Sequence, residues 1–232
     1  MLALKSACES CGTGLPPESP LARICAFECT FCASCTQRLH GRCPNCGGEL
    51  LPRPRRRAAP DAAVTVRHVS LQDEPALLRP LADLLQDAVH SGASVGFMAP
   101  LAPETAHQYW QDVFRALGTE RVLWVAECEG RLLGTVQLQS CTRDNGRHRA
   151  EVQKLLVHTQ VRGQGVAGSL MRTIELEARA QGLRLLVLDT LQGSQAEQVY
   201  GHLGWQRAGA VPDYAAAPDG ELFPTVIFFK RL

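Results

Sequence analysis

The sequence predicts a mixed α/β domain preceded by a small cysteine-stapled one, and three observations carry the prediction. Eight of the ten cysteines fall between Cys8 and Cys46, a stretch rich in proline and arginine follows, and beyond it the apolar periodicity alternates between two and 3.6. A chain of 232 residues has room for two compact units. The boundaries read as a cysteine-rich zinc-binding domain over 1–52, a linker over 53–62 and the α/β domain over 63–232.

The cysteines follow the order Cys8-x2-Cys11-x13-Cys25-x3-Cys29-x2-Cys32-x2-Cys35-x7-Cys43-x2-Cys46. A two-residue spacer lets both thiolates of a pair reach one tetrahedral Zn²⁺, so eight ligands fill two closed structural sites. The N-terminus shows no apolar run of a secretory signal before its first cysteines, which favours zinc over disulfides and makes the cytoplasm the expected compartment. A unit this small has too little core to stand unaided, and the metal would supply much of its folding energy. The spacing resembles the cross-braced RING type, which implies Cys8, Cys11, Cys32 and Cys35 on one zinc and Cys25, Cys29, Cys43 and Cys46 on the other. Two successive ribbons remain an alternative, because Cys29 and Cys32 also form a two-residue-spaced pair; His40 reads as a surface histidine. The segment from Cys8 to Leu50 is similar to a bacterial cysteine-rich domain family without an assigned function. A protein partner for this domain is open, whereas no surface recommends a ubiquitin-ligase role.

In "LPRPRRRAAP", three prolines surround Arg53, Arg55, Arg56 and Arg57, which reads as a solvated stiff linker, with a phosphate-binding arm as the alternative. Residues 1–62 carry net charge +3 and the remainder −2, too little to predict nucleic-acid binding. The apolar runs, about eight residues long, are too short to span a bilayer.

Val64 to Val69 reads as a strand, "EPALLRPLADLLQDAV" as an amphipathic helix, and "PETAHQYWQDVFRAL" as a helix begun by proline. "RVLWVAEC" and "RLLGTVQLQS" form a hairpin about Glu129-Gly130, and "AEVQKLLVH" adds a strand. A helix from about Gln164 to Ala180, the strand "RLLVLDT", the helix "SQAEQVYGHL" and the strands "WQRAGAV" and "ELFPTVIFFK" complete the domain. Between strand and helix, "QVRGQGVA" leaves free backbone N–H groups at a helix N-terminus, a setting that favours phosphate.

Arg162-Gly163-Gln164-Gly165-Val166-Ala167 resembles the R/Q-x-x-G-x-G/A pyrophosphate loop of the GNAT superfamily of N-acetyltransferases, and the order of elements resembles that fold. The resemblance implies acetyl-CoA as cosubstrate and a mixed sheet, flanked by helices and splayed between its fourth and fifth strands. The pantetheine arm would pair there with the backbone of Leu155, Leu156 and Val157. "HSGASVGFMA", "RAEVQKLLVH", "LDTLQGSQAEQVYGHLGW" and "VPDYAAAPDGELFPTVIFFKRL" are similar to the tabtoxin resistance acetyltransferases. The wider superfamily often has an asparagine seven residues before the helix tyrosine, where this chain has Gly193, with Ser194 as a weak substitute.

Acetyl transfer needs a neutral amine, a stabilised oxyanion and a proton for the departing thiolate. Tyr200 is the candidate acid, with a packing tyrosine as the plainer alternative. Asp189 is a candidate for accepting the amine proton, or else a helix cap. Glu151 is a candidate base through water, or a strand-edge ion-pair partner. His90 corresponds by resemblance to an acceptor-side residue, or is an ordinary helix-ending histidine. Cys128 and Cys141 read as strand thiols outside any Cys-His-acid arrangement, so transfer should be direct. The expected function is acetylation of a small-molecule amine, with an amino-acid-like toxin as the acceptor the resemblance implies. The second reading is a zinc-dependent interaction protein that binds acetyl-CoA without turnover.

Overall fold

The structure is a computed structural model that describes residues 4–54 and 64–232. It divides into two compact units, Met1–Asp61 and Ala62–Leu232. Arg55, Arg56 and Arg57 of the expected linker lie outside the described residues. Among those described, no helix is long and apolar enough to cross a membrane.

The first unit has strands β1 (Ala22–Ile24), β2 (Thr30–Cys32) and β3 (Leu51–Pro52) in the antiparallel order β2-β1-β3, and the short helix α1 (Ala33–Arg38). Cys32 caps α1, its Sγ accepting the Cys35 N–H at 3.4 Å, so one two-residue spacer is the first turn of a helix. Its buried cluster holds five cysteines and only Leu15, Ala22, Phe31 and Leu50 besides. Four such side chains give little hydrophobic stabilisation, and the thiol groups must take over much of that role.

Arg53 departs from the solvated part expected of it. It is 3% exposed. Its Nη1 donates to Lys5 O at 2.7 Å, and Nη2 to Leu15 O at 2.9 Å and Pro16 O at 2.6 Å. A guanidinium has several donors in a fixed fork, and here the fork ties three backbone carbonyls, of which Pro16 O also accepts the Ser19 N–H at 2.9 Å. Composition alone hid a structural residue at the edge of a basic run.

The second unit carries a seven-stranded sheet. In chain order its strands are β4 (Thr65–His68), β5 (Arg121–Cys128), β6 (Arg131–Ser140), β7 (Arg149–Val157), β8 (Leu185–Leu191), β9 (Gln206–Ala216) and β10 (Leu222–Arg231). They lie in the order β4-β5-β6-β7-β8-β10-β9. The helices are α2 (Glu74–His90), α3 (Pro103–Arg115), α4 (Val166–Ala180) and α5 (Gln195–His202). Side chains alternate faces along a strand, and β5 shows it: Leu123 and Val125 pack with α2 and α3, whereas Ala126 packs with α4. Helices therefore cover both faces.

Every adjacent pair is antiparallel except β7 and β8, which share only three rungs, Arg149↔Leu185, Ala150↔Leu186 and Glu151↔Val187. Beyond Glu151 the strands part, which is the splay implied by the resemblance, and the β8-facing edge of β7 has no strand partner. On its other edge β7 bulges: Thr135 pairs with Leu156 and Gln137 with Gln153, so Lys154 and Leu155 together face Val136. Lys154 holds a φ of 48° there.

β9 runs past its expected end at Val211. Its outer edge is free, where proline is tolerated, and Pro212, Asp213 and Tyr214 bulge opposite Pro224 before pairing resumes at Ala215↔Phe223.

Candidate functional site

A cleft of about 910 Å³ opens where β7 and β8 part. Residues Glu151 to Val157 of β7 form its floor, and the turn after α2, the loop before α4, the end of β8 and α5 line its sides. Two unpaired strand edges and a helix N-terminus thus meet in one concavity.

The loop between β7 and α4 turns through Gly163 at φ 77° and Gly165 at φ 85°, the latter being the N-cap of α4. A Cβ on either glycine would meet nothing within 4 Å, so it is the backbone conformation that demands glycine, and a side chain would fill the loop's open side. No acidic residue in the first turn of α4 offsets the positive end of the helix. Arg162, Gly163, Gly165, Val166 and Ala167 line the cleft; Gln164 does not. Arg162 also acts as a brace, its Nε donating to Val157 O at 3.2 Å and its Nη2 to Ser91 Oγ at 2.8 Å. Asp87 of α2 holds the same turn by accepting the Thr159 N–H at 2.9 Å and its hydroxyl at 2.8 Å. Beneath it, a Cβ on Gly134 would stand 2.6 Å from Leu156 O, so β6 needs glycine there, a demand the sequence reading missed.

Leu155, Leu156 and Val157 lie on the floor with their backbone edge open towards the cleft. Glu151 sits on the last shared rung, and Asp189 lies two residues beyond its partner Val187, which directs both carboxylates to one side of the sheet. Asp189 is open to the cleft, yet partial desolvation by its walls, and next the charge of Glu151, raise its pKa, while Lys154 lowers it. It caps no helix. Ser194 does, its Oγ accepting the Glu197 N–H at 3.2 Å while Glu197 Oε2 accepts the Gly193 N–H at 2.7 Å.

Tyr200 is buried, with its ring 6.1 Å from that of Trp205 and 6.0 Å from that of Phe228, and it lines the cleft. Packing and a chemical role are compatible in this position. Burial, and then the charge of Asp189, push its phenol far above the ordinary value and keep it protonated.

His90 is not brought to the cleft. It is exposed at the end of α2, and its Nε2 accepts the Leu101 N–H at 3.1 Å, whereas the following turn from Ser91 to Gly96 does line the site. Lys154, which the sequence reading left unremarked in its strand, does enter. Its Nζ lies 5.4 Å from the centroid of Tyr109 and 5.9 Å from that of Phe97. Burial lowers its pKa first and Arg121 next, with Asp189 and Glu151 opposing. A lysine inside the apolar run of a central strand was the available signal. Cys128 ends β5 and Cys141 follows β6, both half-buried.

In the first unit the eight thiols gather as Cys8, Cys11, Cys32 and Cys35, and as Cys25, Cys29, Cys43 and Cys46, with the Sγ atoms of each group within 4.8 Å of one another. Alternate pairs share a group, as the cross-braced resemblance implies, and two successive ribbons are excluded. The Sγ atoms of Cys11 and Cys32 are 3.7 Å apart and those of Cys25 and Cys46 3.5 Å. Four thiolates about 2.3 Å from a central Zn²⁺ stand roughly 3.8 Å from one another, so the donor sets fit that ion. His40 is exposed and belongs to neither group.

The comparisons with known proteins match the two units separately. Residues 119–207 match the acetyltransferase (GNAT) domain family, and residues 1–56 match a family described as a protein of unknown function, DUF1272. An uncharacterized N-acetyltransferase from the hisH-hisA intergenic region of Azospirillum brasilense is 37% identical over 114 residues, covering 48% of this chain and 67% of its own. An uncharacterized protein of Rhizobium meliloti is 58% identical over 60 residues, 25% of this chain and 71% of its own. In fold the chain is similar to yncA of Salmonella typhimurium, solved with its cofactor acetyl-CoA, with a TM-score of 0.60 and 19% identity over 73% of this chain and 94% of that one. The pyrophosphate-type loop, the splay and these relatives agree: the chain is an N-acetyltransferase and belongs to the GNAT family.

Proposed function

We propose that this protein acetylates the amine of a small molecule by direct transfer from acetyl-CoA, with an amino-acid-like toxin as one acceptor of suitable size and chemistry. The observation that carries the reading is the convergence of Glu151, Asp189 and Tyr200 on the splay, beside the glycine loop. The loop N–H groups from Gly163 to Ala167 would hold the pyrophosphate, and the open edge at Leu155, Leu156 and Val157 the pantetheine arm. Bound there, acetyl-CoA supplies a thioester carbonyl as the electrophile.

Asp189, ionised, takes a proton from the incoming ammonium, with Glu151 acting through water as a second acceptor. The freed lone pair forms the new C–N bond, and collapse of the tetrahedral adduct breaks the C–S bond. Tyr200 gives its proton to the departing thiolate, and the second proton shed by the nitrogen as the amide forms returns through water to the phenolate. Burial keeps the phenol protonated, so the proton is in place when the thiolate departs.

For the first unit we propose two structural Zn²⁺ ions held by the two thiol groups. Reduced ligands suit a cytoplasmic setting. The test of the enzymatic reading is thiol release from acetyl-CoA across amino acids, dipeptides and polyamines. Amine-dependent release supports it; binding of acetyl-CoA with no release on any amine would leave a ligand-binding protein.

A further inference from the structure

Lys154 is a charged group in the cleft to which the proposed transfer assigns no part. Its ammonium is partly buried, yet among the described residues it makes no hydrogen bond and no ion pair within 4.0 Å; its near neighbours are the rings of Tyr109 and Phe97. An ammonium has three donors, and leaving them without acceptors in a partly desolvated place is costly unless a ligand meets them. The backbone is held at φ 48° to point this residue where it is, a conformation that a lysine adopts only at a cost of about 1–3 kcal/mol. The β7 bulge produces that turn, and bulges beside active sites re-aim side chains in this way.

The surroundings restrict what the lysine serves. It lies about 10 Å along β7 from Val157, three residues at the rise of a strand, and so stands away from the glycine loop that would take the phosphates. It shares the other end of the cleft with Glu151 and Asp189, both near enough to act on its charge. Two carboxylates and one unpaired ammonium complement a molecule carrying one positive and one negative group.

We propose that Lys154 is a specificity-determining residue that binds the carboxylate of the acceptor, so that the preferred substrates are amino acids presenting a free carboxylate near the reacting amine. The reading rests on the acetyl-transfer function above and narrows its substrate class. Asp189 and Glu151 receive the ammonium end, Lys154 receives the carboxylate, and the Tyr109 and Phe97 rings shape the space between. The plainer view, a lysine stem packed on two rings, requires no such preference.

The test uses the full-length protein and a panel of common L-amino acids, each beside its α-amide and its decarboxylated amine. Binding to the CoA-loaded protein is measured by calorimetry, and turnover by thiol release. Wild type should favour the amino acid over both partners by about tenfold or more, the range of one charge-assisted hydrogen bond. Lys154→Met should abolish the preference, and Lys154→Arg should restore part of it, with acetyl-CoA affinity reporting that each variant is folded. No preference for the carboxylate in wild type, or an equal loss across all three series in Lys154→Met, would overturn the proposal. Should Lys154→Met fail to fold, the wild-type preference and Lys154→Gln decide. Absence of thiol release with every amine would sink the transfer reading alone, because the binding ratio still judges the lysine.

Discussion

Replacing Tyr200 by phenylalanine removes a proton donor and leaves the ring between Trp205 and Phe228. Turnover should fall by about a hundredfold or more while acetyl-CoA affinity stays close to wild type, since general acid catalysis is typically worth 10² to 10⁴. Steady-state kinetics with acetyl-CoA, and with a donor of more acidic thiol that needs less protonation, checks it; near-wild-type turnover on acetyl-CoA would return Tyr200 to packing alone. Asp189 acts as a base only when ionised. Because desolvation and Glu151 raise its pKa, ionisation is completed at higher pH than for an ordinary carboxylate, and the acid limb of kcat/KM should be displaced upward accordingly. Asp189→Asn should remove that limb; a pH profile unchanged by the substitution would assign the base elsewhere. At the loop, Gly165→Val should weaken acetyl-CoA binding more than Arg162→Ala. Valine at φ 85° costs on the order of 1–3 kcal/mol and fills the open side of the loop, whereas alanine at 162 loses bonds to Val157 O and Ser91 Oγ but leaves the N–H groups free. Calorimetry showing equal losses would contradict the phosphate assignment.

At the scale of elements, legibility followed the locality of the cause. β5 and β6 coincide with their expected bounds because alternation and a Glu129-Gly130 turn are both written within a few residues. The glycine loop was legible for the same reason. β9 was cut short because Pro212 reads as a breaker, and only an edge position, which depends on distant β10, makes it tolerable. Lys154 was missed because the bulge that turns it arises from pairing with β6. His90 stays outside the cleft because the Leu101 N–H occupies its ring, whereas the small residues after it reach the cleft. Arg53 was misread because nothing local announces the three carbonyls it joins, which belong to residues 5, 15 and 16. Arg53→Ala should therefore destabilise the first unit by about 1–3 kcal/mol for each carbonyl left without a partner, partly relieved by water. The expected sign is zinc release at lower temperature with acetyl-CoA affinity unaltered; an unchanged release profile would show the fork to be dispensable.

The molecule as a whole combines two ways of stabilising a fold. The second unit buries two large apolar clusters on opposite faces of its sheet, while the first buries chiefly thiols. Protein purified without chelator should hold two zinc ions by elemental analysis, one for each group of four cysteines. A strong chelator should unfold the first unit and spare acetyl-CoA binding, because every group assigned to the transfer lies beyond residue 62. One zinc or none would contradict the pairing of sites with metal. The central claim is direct transfer from acetyl-CoA to an amine within the splayed cleft. It is tested most directly by incubating the intact protein with acetyl-CoA, first alone and then with an accepted amine, and following protein mass and thiol together. The account predicts an unmodified protein in both stages, with thiol release and acetylated amine appearing only in the second. A protein that gains one acetyl group from acetyl-CoA alone, and loses it to the amine fast enough to account for turnover, would contradict it.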